Sequence, residues 1–284
     1  MELSFTKMHG TGNDFIMVNG SNYPDLDFSK LARQLCRRHF SIGADGLIIV
    51  LPPESVEHDF RMRIFNADGS EAEMCGNGIR CFAHYLRENN LTTRDVLKIE
   101  TLAGIITPEI VSYNGDKSLI KVNMGRPHFK SEEIPVNIED ELDYVKNFPL
   151  KIGNKKLNIN CVSMGNPHTI IFVEDVNQIP VSTWGQEIEH NPLFPQKTNV
   201  EFIQIQSEDE IIMRVWERGS GITLACGTGA CASVVAGIKN GLLKNMVTVH
   251  LPGGDLNIEW QEQDVFMTGP AESVYTGKIV IQEG

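Results

Sequence analysis

Apolar and polar positions alternate with a period of two in Phe60-Arg-Met-Arg-Ile-Phe-Asn. Phe60, Met62 and Ile64 fall on one face and Arg61 and Arg63 on the other, which predicts a strand. Ile211-Ile-Met-Arg-Val-Trp-Glu repeats the pattern in the second half. Each stretch runs into a glycine-containing loop and then into Cys-Gly-X-Gly. A helical period governs the segment from Phe28 to Arg38, where Leu31, Leu35 and Cys36 share one side behind Asp27 as a cap. After Cys75 and again after Cys226 the turn residues disappear, so each Cys-Gly-X-Gly predicts a helix start. The second of these helices is apolar on nearly every side, which places it inside its domain.

These echoes keep a register. Cys75 and Cys226 lie about 150 residues apart, and Gly12-Asn13-Asp14 and Gly165-Asn166-Pro167 lie at nearly the same offset. Between them, Ala44–Ile49 and Thr198–Ile203 are two apolar strands, each following a polar turn. Three anchors in one order at nearly one spacing predict two copies of the same domain.

A chain of 284 residues with 41% hydrophobic positions is long enough for two cores. Its 25 lysines and arginines against 37 aspartates and glutamates give a net charge of −12, which disfavours nucleic acid and anionic membrane surfaces as partners. Apolar runs such as Leu47–Leu51 fall far short of a membrane span, and the first residues have no basic-then-apolar pattern. The expectation is a soluble cytoplasmic protein with reduced thiols. The six cysteines include no Cys-x-x-Cys, neither Gly-X-Gly precedes Lys-Ser/Thr, and no lysine stands in a pyridoxal-phosphate context. No metal and no cofactor is expected.

At a helix start, unpaired N–H groups and the positive end of the dipole favour a thiolate at Cys75 and Cys226. The adjacent glycines let a ligand approach, and the same N–H groups bind a carboxylate. Two such ends facing across a cleft would make an anion pocket flanked by two thiols. That arrangement suits removal of the α-proton of an amino acid by one thiolate and donation by the opposite thiol, with aimed N–H groups stabilising the enediolate-like intermediate. Cys36, Cys81, Cys161 and Cys231 read instead as small buried hydrophobes.

The stretches "FTKMHGTGNDF" (5–15), "GADGLI" (43–48), "FNADGSEAEMCGNGIRC" (65–81), "MGNPH" (164–168), "NPLFPQKTNVEF" (191–202), "WERGSGITLACGTGACA" (216–232) and "GPAESVYTG" (269–277) together resemble the diaminopimelate epimerase family nearly end to end. The resemblance implies a cofactor-independent epimerase of lysine and peptidoglycan precursor synthesis that takes LL-diaminopimelate to the meso isomer. Proline racemases and phenazine-biosynthesis-like proteins share the implied fold; a racemase of another amino acid, or a binding module without proton exchange, are the rival readings.

By the same resemblance Cys75 and Cys226 are the acid/base thiols, and His168 and Glu217 tune their pKa. Gly76, Asn77, Gly227 and Thr228 hold the reacting carboxylate. Asn13, Asn66, Asn166, Asn199, Glu217 and Arg218 are further substrate ligands, the arginine suited to a distal carboxylate and the glutamate to an ammonium. Gly46 stands where many relatives carry a substrate-contacting glutamine, and is left out of the site. The implied architecture is α+β, with two pseudo-symmetric domains, each a curved, mainly antiparallel sheet around a central helix. The domains are expected at 1–125 plus 271–284 and at 126–270, with a last strand at 273–282 returning to the first. Tyr275 is implied in homodimer contacts.

Overall fold

The computed structural model describes residues 1–138 and 142–281. The expected strand end at Gln282, and residues 282–284 of the first expected domain, lie outside the described residues. The chain forms two units: Met1–Asn123 together with the described residues from Thr268 on, and Met124–Met267. The architecture is α+β.

The first unit contains strands β1 (Glu2–Gly10), β2 (Asn13–Asn19), β3 (Gly46–Leu51), β4 (Phe60–Asn66), β5 (Glu71–Ala72), β6 (Ile99–Thr101), β7 (Gly104–Ile106), β8 (Glu109–Tyr113) and β9 (Lys117–Asn123), with helices α1 (Phe28–Leu35) and α2 (Gly76–Glu88). The second contains β10 (Phe148–Ile152), β11 (Lys155–Ser163), β12 (Pro167–Phe172), β13 (Asn199–Ser207), β14 (Glu210–Glu217), β15 (Gly221–Ile222), β16 (Met246–Leu251) and β17 (Gly254–Gln261), with α3 (Val181–Glu189) and α4 (Gly227–Lys239). A final strand, β18 (Asp264–Val280), starts in the second unit and ends in the first. There it pairs antiparallel with β1 from Glu2↔Val280 to His9↔Glu272. Among the described residues, no helix is long and apolar enough to cross a membrane.

The two units repeat one framework. In the first, β2 runs parallel to β3 with Phe15 opposite Gly46, and β3 runs antiparallel to β4 with Gly46 opposite Asn66. In the second, β12 runs parallel to β13 with His168 opposite Asn199, and β13 runs antiparallel to β14 with Val200 opposite Trp216. The register matches Phe15 with His168, Gly46 with Asn199, Ile48 with Glu201 and Asn66 with Glu217. The parallel pairs are joined by helical crossovers, because parallel neighbours cannot be linked by a tight turn.

Hydrophobic burial explains which helices lie inside. Residues 77–86 of α2 are all buried, and α4 buries Gly227 and every residue from Gly229 to Gly237. Such helices gain stability from apolar contact on all sides, about 1.5–3 kcal/mol for each large apolar side chain fully removed from water. The smaller helices cover the outer faces. Asp27 caps α1 by accepting from the Lys30 N–H at 3.0 Å, and Phe28, Leu31 and Leu35 pack with Leu47, Ile49 and Phe65. Arg63 therefore does not point into open water: its guanidinium lies 4.9 Å from the Phe65 ring centre and pairs with Glu71. In the second unit, Val181 and Ile188 of α3 pack on Val200 and Phe202.

Helix α3 also sets the position of β14. A Cβ placed on Gly185 would stand 2.4 Å from Trp216 Cβ and 2.5 Å from its Cγ. The overlap is with the root of the side chain, so a rotamer change cannot relieve it. Gly185→Ala is expected to destabilise the protein by about 1–3 kcal/mol, the usual cost of overpacking a core. Thermal melting checks this, and an unchanged melting temperature would show that α3 can shift at no cost.

Candidate functional site

Cys75 is the N-cap of α2, and its sulfur accepts from the Gly78 N–H at 3.4 Å. The thiol also lies 3.6 Å from Asn13 Oδ1, to which it donates. Asn13 Oδ1 is free to face the thiol because Asn13 Nδ2 donates to Asp45 Oδ2 at 2.8 Å, and Asp45 is held in turn by Arg38. Asn77 Nδ2 approaches the same Asn13 oxygen at 3.3 Å. The structure therefore gathers Asn13, Cys75, Gly76 and Asn77 at one helix start. Asn66 belongs to a neighbouring turn, where its side chain donates to Ser70 Oγ at 2.9 Å.

Two residues that the sequence reading left unassigned support this cluster. Arg80 is fully buried and donates to Asn77 Oδ1 at 2.9 Å, Thr11 Oγ1 at 3.0 Å, and the carbonyls of Gly76 and Pro270 at 3.1 Å. The guanidinium thus ties the first turn of α2 to the β1–β2 loop and to β18. Gly46 has little space for a side chain: a Cβ there would lie 2.9 Å from the Phe65 carbonyl oxygen.

Cys226 is the N-cap of α4, but its sulfur makes no capping hydrogen bond of the kind seen at Cys75. Instead it lies 3.6 Å from Thr228 Oγ1, which accepts from Asn166 Nδ2 at 3.4 Å. Asn166 Oδ1 contacts His168 Nε2 at 2.9 Å, and His168 Nδ1 contacts Glu201 Oε1 at 2.7 Å. His168 and Glu201 are both completely buried. The sequence reading missed Glu201, although a carboxylate inside the apolar strand Val200–Ile203 is itself a signal.

Glu217, Arg218 and Asn199 form the rim of this cluster. Asn199 Oδ1 accepts from the Arg218 N–H at 2.9 Å, while its Nδ2 donates to the Pro167 carbonyl at 2.8 Å. Glu217 accepts from the Thr223 hydroxyl. A second unassigned carboxylate, Glu189 at the end of α3, fixes the turn beneath them. It accepts from Trp216 Nε1 at 2.8 Å and from the Gly219 N–H at 3.1 Å. Arg218 Nη1 donates to the Gln196 carbonyl at 3.1 Å. Tyr275 lies apart on β18, about half exposed, with its ring edge-on to Phe5.

The electrostatics correct one expectation. A helix start was expected to favour the thiolate at both cysteines, yet at Cys226 burial pushes the thiol well above its ordinary value of 9.0, and the charges of Glu217 and Glu201 push it further. Cys226 is only 4% exposed, and removing a charge from water next to two carboxylates outweighs the helix dipole. Glu201 is likewise raised by its burial. In the first unit, the positions of His168, Glu201 and Glu217 are taken by Phe15, Ile48 and Asn66, none of them ionisable. The remaining cysteines, Cys36, Cys81, Cys161 and Cys231, are buried, and burial pushes the first three to about 12.

Comparison with known proteins follows the same framework. The sequence profile described as diaminopimelate epimerase matches residues 5–130 and 160–274. A diaminopimelate epimerase of Moorella thermoacetica is 52% identical over 278 residues, covering 97% of this chain and 98% of its own. One of Nostoc punctiforme is 52% identical over 285 residues, covering 98% and 100%. Among solved structures, a phenazine biosynthesis protein of the PhzF family from Bacillus anthracis superposes with a TM-score of 0.70 at 18% identity, covering 99% of this chain and 100% of its own. A hydroxyproline epimerase of Agrobacterium vitis gives 0.71 at 14% identity, covering 98% and 92%. These last two show the fold.

Because a sulfur reacts with alkylating reagents as the thiolate, the raised pKa of Cys226 sets an expected order. At pH 8, iodoacetamide should modify the partly exposed Cys75 first, and labelling of Cys226 should rise only beyond pH 9. Peptide mapping by mass spectrometry measures both. Substantial Cys226 labelling at pH 7 would contradict the electrostatic reading.

Proposed function

Because the chain belongs to the diaminopimelate epimerase family, we propose that it interconverts LL- and meso-diaminopimelate without a cofactor, using Cys75 and Cys226 as opposed acid and base. The observation that carries this reading is the cysteine at the first turn of the central helix in each of the two repeated units. We also propose that these units are the two catalytic domains of the family fold.

The reaction needs one C–H bond broken and one formed at the same carbon. In one direction the Cys75 sulfur takes the α-proton, leaving a carbanion delocalised into its carboxylate, and the Cys226 S–H delivers a proton to the opposite face. Cys75 then carries a proton and Cys226 a negative charge; the reverse direction uses the same groups with roles exchanged. The raised pKa of Cys226 supports its assignment as the acid of the resting enzyme. The reading requires the N–H groups of Gly76, Asn77, Gly227 and Thr228 to face the reacting carboxylate, where they stabilise charge as it develops. Arg218 retains donors beyond its contact to Gln196 for a distal carboxylate, and Glu217 offers a carboxylate to an ammonium. Asn13, Asn66, Asn166 and Asn199 complete the polar lining in this proposal.

The product serves lysine and peptidoglycan precursor synthesis in this reading, and the enzyme works in the cytoplasm. A homodimer through the stretch of β18 around Val274 and Tyr275 is also proposed, on the exposure of both side chains. Sedimentation equilibrium of wild type and Tyr275→Asp tests it: the wild type should have twice the mass of the variant.

The central test is epimerisation of LL-diaminopimelate by the purified, reduced protein in deuterated water. Deuterium should enter the meso product while the remaining LL substrate stays nearly unlabelled, since the delivered proton comes from the other thiol. Cys75→Ala and Cys226→Ala should each abolish turnover in both directions. Proline, alanine and lysine should not be turned over, because each lacks the distal carboxylate that Arg218 is proposed to hold. Comparable turnover of any of these, or inversion by either alanine variant, would overturn the assignment.

A further inference from the structure

The His168–Glu201 pair is not demanded by the fold. The first unit builds the same two parallel strands with Phe15 and Ile48 at these positions, and both units are well packed. Two ionisable side chains at zero exposure carry a desolvation cost that an apolar pair avoids. Their placement is also specific. A Cβ on Gly229 would lie 2.6 Å from Glu201 Oε1 and 3.2 Å from Cys226 Sγ, so the carboxylate occupies the space that this glycine leaves open at the start of α4. Oε1 contacts His168 Nδ1, and Oε2 takes no hydrogen bond from the described residues.

We propose that Glu201 is a positioning residue that orients the Thr228 hydroxyl toward Cys226, acting through His168 and Asn166. The inference rests on the reading of Cys226 as an acid/base thiol. A carboxylate beside a neutral imidazole would place a net negative charge in a fully buried site that already faces Glu217 and Cys226. One proton shared between Oε1 and Nδ1, with a second on Nε2, makes the pair neutral and removes that cost. Nε2 then donates to Asn166 Oδ1 at 2.9 Å, because an amide oxygen only accepts. That turns the Asn166 NH2 group toward Thr228 Oγ1 at 3.4 Å. A hydroxyl that accepts from Asn166 keeps its own hydrogen for the sulfur 3.6 Å away. The S–H hydrogen of Cys226 is thereby left for the substrate carbon, and the thiolate formed after transfer meets a waiting donor. If the imidazole instead donated only from Nδ1, Nε2 would accept, the Asn166 amide would reverse, and the Thr228 hydrogen would be drawn to Asn166 Oδ1.

The experiment compares Glu201→Gln and Glu201→Leu with wild type. The glutamine amide can donate to Nδ1 and keep the hydrogen on Nε2, so this variant should hold kcat within a few-fold. The leucine variant breaks the chain and should lose kcat by about 10–100-fold, the scale expected when a buried hydrogen-bonding group loses its partner, with KM little changed. Both variants remove the Glu201 charge, so their difference isolates the hydrogen-bond chain: at pH 10, iodoacetamide should label Cys226 more slowly in Glu201→Leu than in Glu201→Gln. If the leucine variant does not fold, the double variant His168→Phe/Glu201→Ile, which copies the pair of the first unit, takes its place with the same expected loss. A leucine or double variant with a native melting transition and wild-type kcat would overturn the proposal, and so would equal losses in the glutamine and leucine variants. Absence of epimerisation by the wild type would instead count against the enzymatic reading, while the labelling comparison would still decide the role of Glu201.

Discussion

How closely the first turn of each central helix lies against its sheet controls the rest of the structure. At Gly229 a single added carbon would overlap the Glu201 carboxylate, and at Gly78 it would press on Ile48 and Ile64 at 3.1 and 3.2 Å. A helix start drawn in this far has little solvent to satisfy its N–H groups, so the protein or a ligand takes that role. Arg80 and Asn77 stiffen the start of α2, and Thr228 and Asn166 that of α4. The cysteines stand at this junction because the N-cap is where a side chain leaves the strand direction and enters the helix.

The same close approach meets different side chains in the two units. Around Cys75 the matching strand positions are Phe15, Ile48 and Asn66, while around Cys226 they are His168, Glu201 and Glu217. A duplicated backbone has been filled with uncharged side chains on one side and with ionisable ones on the other. The thiol at the start of α4 is thereby held above its ordinary value, which suits the acid of the proposed reaction. The burial that makes Cys226 reluctant to ionise also makes its hydrogen-bond partners consequential, because few other groups reach it.

Much of this was legible in the sequence. The alternation in Phe60–Asn66 and Ile211–Glu217, the Asp27 cap and the apolar run after Cys226 are local patterns, and each became the element that its period implied. Helix α1 stops at Leu35, short of the basic residues that follow. What escaped was non-local. Arg80 occupies a helical position that reads as a polar face, yet it is wholly buried because Thr11, Asn77 and two carbonyls converge on it from distant parts of the chain. Glu201 escaped because its partner His168 lies on a neighbouring strand, and Glu189 because the turn that it holds is some 30 residues away. The effect of burial on Cys226 depends on the packing around a helix start, which the motif that marks the start does not encode.

The pairing of β1 with β18 bears on the order in which the chain is completed during synthesis. The Met1 nitrogen donates to the Ile281 carbonyl at 2.8 Å, beside the outermost pair of that ladder. Met124–Met267 is available in full while the earlier unit still lacks the strand that covers β1. On the ribosome the later-encoded half is therefore the first able to close its sheet. The earlier half waits with an open strand edge, a stretch of backbone that a chaperone or a neighbouring nascent chain can occupy before its own partner emerges.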